Sequence, residues 1–174
     1  MDFEKLAQER FSVRKFSPKE VEKEKLDRIL KAGQLAPTAC NYQPQRVLVV
    51  NGKDGLEKVN KCTPHHFGAP VVLVICYDKT VSAKRSFDGG EFGVTDASIV
   101  TTHMMLQAAD LGLGTTWIGG FDPKAVETEF ALPESYVPVA LLPVGYPAED
   151  AKPAPLHTKR EPIETTVFYN VFSE

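Results

Sequence analysis

The sequence predicts a single three-layer domain of the α/β or α+β class, and three observations carry that expectation. Stretches with helical periodicity alternate with short apolar runs along the chain. Two of the runs, RVLVV at 46–50 and VVLVICY at 71–77, are continuous and β-branched, the pattern of strands buried on both faces. The segment 95–111, TDASIVTTHMMLQAADL, reads as a long apolar-rich helix, with Asp96 near its start and Gly112 placed to end it. With 174 residues, 43% hydrophobic and 25% charged, the chain can bury one sizeable core and gives no sign of a second.

The remaining elements follow in order. Phe3, Leu6 and Ala7 recur at helical spacing, so residues 2–9 read as a short helix. SPKE at 17–20 has capping-box spacing with Pro18 at the first helical position, and predicts a charged helix carrying Leu26, Ile29 and Leu30 on one face. That helix should stop near Ala36, because the residue before Pro37 resists the α conformation. A short helix at 54–61 separates the two strands, and residues 115–118 read as another short strand. Asp122-Pro123 opens a helix to about Phe130. VPVALLPV at 137–144 reads as a strand whose prolines confine it to an end or an edge of the sheet. Prolines then recur among charged residues from 145 to 162, which favours an extended arm over a folded element. The arm ends in Val167, Phe168, Tyr169, Val171 and Phe172, side chains that need a cover, so it is expected to reach a partner subunit.

Composition excludes several classes. A net charge of -3 gives no electrostatic reason to expect nucleic acid. The longest apolar run, 70–76, is too short to span a bilayer, and MDFEKLAQER lacks the apolar core of a secretory signal. Three cysteines at 40, 62 and 76, odd in number and far apart, suit reduced thiols in a cytoplasm. The expectation is a cytoplasmic protein with neither a membrane nor a nucleic-acid partner. GxxxxGK[ST], HExxH and GxSxG do not occur. GLGTTWIGG at 112–120 follows a helix and precedes a strand, the reverse of the dinucleotide-binding order. Cys62, His65 and His66 lack a convincing fourth zinc ligand, so no metal is expected. His103 reads as a hydrogen-bonded core or interface residue, and Cys40 has no histidine near it in sequence. No catalytic side chain is expected.

Four segments remain. In ERFSVRKFS at 9–17 alternate side chains share a side, so Arg10, Ser12 and Arg14 face one way and Phe11 and Val13 the other. Two guanidiniums and a hydroxyl on one spot suit a phosphate or carboxylate; a half-buried edge strand with a solvated basic face fits the same alternation. APTACNYQP at 36–44 is a polar turn between a helix and a strand. TWIGG at 116–120 has paired glycines that let backbone approach a flat ligand closely. HTKREP at 157–162 adds Lys159 and Arg160. Cations in the first and fourth suit a phosphate, while amides and backbone in the other two suit a ring edge. Flavin mononucleotide combines one phosphate with a planar ring whose redox chemistry needs no catalytic side chain.

On these residues the sequence resembles the FMN-dependent nitroreductases. The marks are RFSVRKF, LAPTACNYQPQRVLVV, AADLGLGTTWIGGFDP, LLPVGYPAED and KREP, in that order over nearly the whole chain. The resemblance implies one α+β domain over residues 1–174, with the three-layer α/β/α nitroreductase fold and a central, mostly antiparallel sheet. It implies a homodimer with FMN at the subunit interface, and a C-terminal arm, about 146–174, swapped onto the partner subunit. Carried over residue by residue, Arg10, Ser12 and Arg14, with Phe11 between them, would hold the FMN phosphate and neighbouring ribityl oxygens, joined by Arg160 and Lys159. Pro37, Thr38, Ala39 and Asn41 would approach from the partner subunit. Trp117, Ile118, Gly119 and Gly120 would border the isoalloxazine, with a backbone N–H near Gly119 facing N5.

The implied activity is ping-pong oxidoreduction. NADH or NADPH would give hydride to N5, and a nitroaromatic, quinone or similar electron-poor acceptor would take it. A specialised relative such as a reductive dehalogenase, and a non-catalytic flavin carrier or regulatory protein, are the alternatives. The chain departs from the family pattern in places. Gln45 stands where tryptophan is usual, Cys40 replaces a smaller residue, and Thr158 stands where the terminal basic pair has a cation. Little chain lies between Tyr77 and the long helix to cover a substrate.

Overall fold

The computed structural model describes residues 2–172. Its elements run α1 (Phe3–Glu9), α2 (Lys23–Gln34), β1 (Gln45–Asn51), α3 (Gly52–Cys62), β2 (Val71–Asp78), α4 (Gly93–Asp110), β3 (Gly114–Thr115), α5 (Pro123–Glu129) and β4 (Tyr136–Gly145). The strands make one sheet in the order β1-β2-β4-β3, with every pair antiparallel. β2 explains the three layers, because its side chains alternate between two cores. Leu73, Ile75 and Tyr77 pack with Ile29 of α2 and Val100 and Met104 of α4. Val72, Val74 and Cys76 pack on the other face with Val59 of α3 and Val126 of α5. The α+β, three-layer expectation therefore holds.

Three local expectations are corrected. β1 has the anticipated boundaries but lies at the sheet edge, mostly half-buried and with Leu48 exposed, so its β-branched run reports a strand and not its depth. β4, expected at an edge because of its prolines, is an inner strand between β2 and β3. Pro138 is tolerated because it sits at a register shift opposite Cys76. The Leu141 N–H points to Ile118 O, and Pro143, two residues on, faces the same side. There β3 pairs only with Val144 and Gly145, so the missing N–H of Pro143 leaves no ladder bond unmade.

The third correction concerns α2, which starts at Lys23 and not after Ser17. The Ser17 hydroxyl accepts only the Lys19 N–H (3.2 Å), and the Ser17 N–H is committed to Tyr146 O (2.8 Å). The Glu22 carboxylate is engaged by the Tyr146 hydroxyl (2.8 and 2.9 Å), so 17–22 stays extended along the end of β4. Elsewhere the caps follow the sequence. Gly112 takes the left-handed conformation (φ 75°) just past α4, and Asp122 Oδ1 accepts the Lys124 and Ala125 N–H groups at the head of α5.

After β4 the chain runs through 152–172 with no strand, hydrogen-bonded turns at 155–158 and a short 3-10 turn at Ile163–Thr165. Tyr169 is 84% exposed and Phe172 91%. No helix among the described residues is long and apolar enough to cross a membrane.

Candidate functional site

α1 ends at Glu9, and the chain turns extended at Arg10 (φ -61°, ψ 128°). Ser12 then bridges to Thr115 of β3 in parallel, and the Val13 N–H donates to Thr115 O at 2.9 Å. Val13 and Phe16 are buried in a small core with Ala69, which leaves Arg14 exposed and Arg10 and Ser12 half-buried. This seat depends on Gly114, where a Cβ would lie 2.4 Å from Val13 Cγ2. The alternation read from the sequence is thus realised with a single backbone bridge at Ser12, not as a full strand.

The arm returns to the same place. His157 Nε2 lies 3.1 Å from Gln8 O, and its ring stands edge-on to Phe11 (centroids 6.2 Å apart, 69° between planes). Arg160 Nη1 donates to the His157 and Lys159 carbonyls at 2.6 and 2.8 Å. Arg10, Ser12, Arg14, His157 and Arg160 consequently line one cleft of about 230 Å³, with Phe11 in its wall and no carboxylate in its lining. Burial lowers the pKa of Arg10 from its ordinary value, and the charge of Arg160 lowers it further. A cleft in which cations oppose one another suits an anion. Lys159 is exposed and does not line it.

Trp117, Ile118, Gly119 and Gly120 continue from this edge of the sheet. Ile118 exchanges two backbone hydrogen bonds with Leu141 (2.9 and 3.1 Å). Gly119 is exposed, and a Cβ there would meet nothing within 4 Å, so one side of the strip is open. Its far end is fixed by Thr63, whose hydroxyl donates to Gly120 O at 2.7 Å. Thr116 Oγ1, beside the strip, is buried with no hydrogen-bond partner among the described residues.

Pro37, Thr38, Ala39 and Asn41 lie elsewhere. Their turn is tied to the head of α4 by the Ala39 N–H, which donates to Asp96 Oδ1 at 2.9 Å. Asp96 is 2% exposed, and its Oδ2 has no partner among the described residues. Cys40, Asn41 and Gln43, interrupted by the right-handed Tyr42, hold φ of 53°, 54° and 51°, left-handed conformations that cost on the order of 1 kcal/mol per non-glycine residue. The cation cleft lies toward the other end of α4: Arg10 and Phe11, which line it, also line a neighbouring hollow with Ala109 and Gly112. Asp96 and Ala109 are roughly 20 Å apart along a helix rising 1.5 Å per residue. Within one chain the structure brings Arg10, Ser12, Arg14 and Arg160 together, and it does not bring the 37–41 turn to them.

Other candidates are engaged locally. Cys62 Sγ is turned to Lys58 O (3.3 Å), His66 Nδ1 accepts the Gly68 N–H (3.1 Å), and no metal cluster occurs among the described residues. His103, exposed on α4, is hydrogen-bonded to Ile99 O through Nδ1 (3.0 Å). Sequence reasoning passed over His157, Thr63 and the buried carboxylate of Asp96. Each acts through a partner more than 50 residues away, and no spacing in the chain announces such a contact.

The sequence profile described as "Nitroreductase family" matches residues 7–65 and 55–146. A putative NADH dehydrogenase/NAD(P)H nitroreductase of Methanothermobacter thermautotrophicus is 33% identical over 157 residues, 86% of this chain and 80% of that protein. The crystal structure of a nitroreductase family protein from Clostridium difficile 630 superposes with a TM-score of 0.93 at 39% identity, covering 99% of this chain and 100% of that one. An FMN-dependent nitroreductase from Clostridium difficile R20291 superposes with a TM-score of 0.78 at 31% identity, over 96% of this chain and 98% of that one. Sequence and fold agree over almost the full length, and the chain belongs to the nitroreductase family.

Proposed function

We propose that the protein is a homodimeric, FMN-dependent NAD(P)H oxidoreductase that passes electrons to nitroaromatics, quinones or similar electron-poor acceptors by a ping-pong route. The observation that carries this reading is the convergence of Arg10, Ser12, Arg14 and Arg160, from opposite ends of the chain, on one cleft without a carboxylate. The donor set fits a phosphate. Each guanidinium offers paired N–H groups matched to two phosphate oxygens, and Ser12 adds a hydroxyl; burial, and after it the charge of Arg160, lower the pKa of Arg10, and a bound anion would offset both.

When bound, FMN supplies the two-electron relay between the nicotinamide and the acceptor. The chain itself binds and orients. Arg10, Ser12, Arg14 and Arg160 hold the phosphate, and Trp117, Ile118, Gly119 and Gly120 offer a backbone edge to the ring, with an N–H near Gly119 as donor. Thr63 keeps that edge in place through Gly120 O. Pro37, Thr38, Ala39 and Asn41 come from the partner subunit, a reading supported by their distance from their own chain's cleft. The arm, about 146–174, crosses to the partner, which would cover its exposed Tyr169, Val171 and Phe172. The free cysteines fit a reducing cytoplasm.

The test is the visible spectrum of the purified protein before and after anaerobic NADH, then NADPH. Yellow protein bleached by either donor is expected. Yellow protein that neither donor bleaches would instead favour a flavin carrier, and colourless protein that refuses added FMN would overturn the reading.

A further inference from the structure

We propose that His157 is a further phosphate-binding residue of the cleft. The inference rests on the flavin reading above and deepens it. Among the described residues 152–172, His157 alone is not exposed, so the arm touches its own chain chiefly through this ring. The ring sits among Arg10, Arg14 and Arg160 in the cleft lining. Lys152 and Lys159, the arm's other cations, are exposed and do not line it. His157 is therefore the arm's second source of positive charge at the cleft.

The hydrogen bonding fixes the chemistry. Nε2 faces a carbonyl oxygen, Gln8 O, and must carry a hydrogen to bond there. Nδ1 is then the ring's remaining polar atom. It is left free to meet a bound phosphate, donating a second N–H when the ring is charged. Its surroundings suit an anion: α1 contributes the Gln8 carbonyl, the next segment Arg10, Phe11 and Arg14, and the arm Ala154, Leu156 and Arg160. The charged members of the lining are all guanidiniums, so a phosphate beside the ring meets no carboxylate there.

The experiment titrates FMN and, separately, riboflavin into deflavinated full-length protein between pH 6 and 8, following flavin fluorescence. The wild type should prefer FMN strongly. His157→Gln retains an N–H for Gln8 O but cannot become charged. It should raise the FMN dissociation constant about tenfold at pH 6 and leave that of riboflavin within about twofold. His157→Lys should keep the FMN preference. Equal weakening of FMN and riboflavin in His157→Gln would show a mere anchor for the arm and overturn the proposal. So would an unchanged FMN constant, or loss of the preference in His157→Lys. A wild type that binds riboflavin as tightly as FMN would instead overturn the flavin-phosphate reading of the cleft itself.

Discussion

Arg14 is the most exposed of the three residues that alternate along 10–14, and its guanidinium reaches the cleft over a backbone pinned by Ser12 and Val13. Arg14→Glu would place a negative charge against the phosphate at little cost to the fold, since the side chain buries no apolar surface. The variant should fold, with a melting temperature within a few degrees of the wild type, and purify without flavin. Full flavin occupancy would remove Arg14 from the phosphate site. The cysteines give a second test at this scale. Burial pushes the Cys76 thiol up to about 11 and raises that of Cys62, where nearby Glu129 and Asp122 add to the effect. At pH 8 Cys76 is then roughly one part in a thousand thiolate, the reactive form. A disulfide reagent should label one thiol of the native flavin-free protein, the exposed Cys40, and all three in denaturant; rapid labelling of Cys76 in the folded protein would contradict its burial. That Arg10, Ser12 and Arg14 share a side was legible in the sequence because a period of two is a local property of the backbone, whereas a phosphate role for them came from the family resemblance. His157 was not legible, because only the path of the arm puts it beside Gln8.

Elements carry the same distinction between local and distant information. Asp122 and Gly112 announced the head of α5 and the end of α4, since a cap is made within a few residues. The prolines of β4 and the β-branched run of β1 announced strands but misplaced them, because edge or centre is decided by which strands pair on either side. Ser17 announced a helix start that its bond to Tyr146 O prevents. One pair of substitutions separates elements that hold the cleft from elements that hold only the fold. Asp122→Ala removes a cap worth about 1 kcal/mol. Gly114→Ala forces a methyl against Val13, a clash costing about 1–3 kcal/mol unless the 12–14 segment moves. Denaturant unfolding should register both. Only Gly114→Ala should weaken FMN binding, by tenfold or more, because Val13 lies between Ser12 and Arg14. Equal effects on FMN would mean that β3 does not position the phosphate segment.

At the scale of the whole molecule, α4 sets the argument. It holds the residues of the cation cleft toward one end and the 37–41 turn near the other, so within one chain the two are held apart along the helix. A second subunit resolves this if the turn of each serves the cleft of the other, and the arm offers the means of holding them together. Phe168, Tyr169, Val171 and Phe172 are exposed in the single chain, an apolar patch that association would bury. Replacing these four residues by serine leaves His157 and Arg160 in place and removes only the cover. The variant should therefore dissociate on dilution in sedimentation velocity, while each monomer keeps its sheet and its cations. Its apparent FMN affinity should then depend on protein concentration, falling at least tenfold below the dissociation point, because ligand binding to the dimer alone couples the two equilibria. Wild-type affinity should not vary over the same range. A serine variant that stays dimeric at every concentration would show that the arm's apolar end is not what holds the subunits. A monomer that binds FMN as tightly as the dimer would place Pro37, Thr38, Ala39 and Asn41 outside the cofactor site, leaving the cations at the head of the chain and Arg160 to hold it alone.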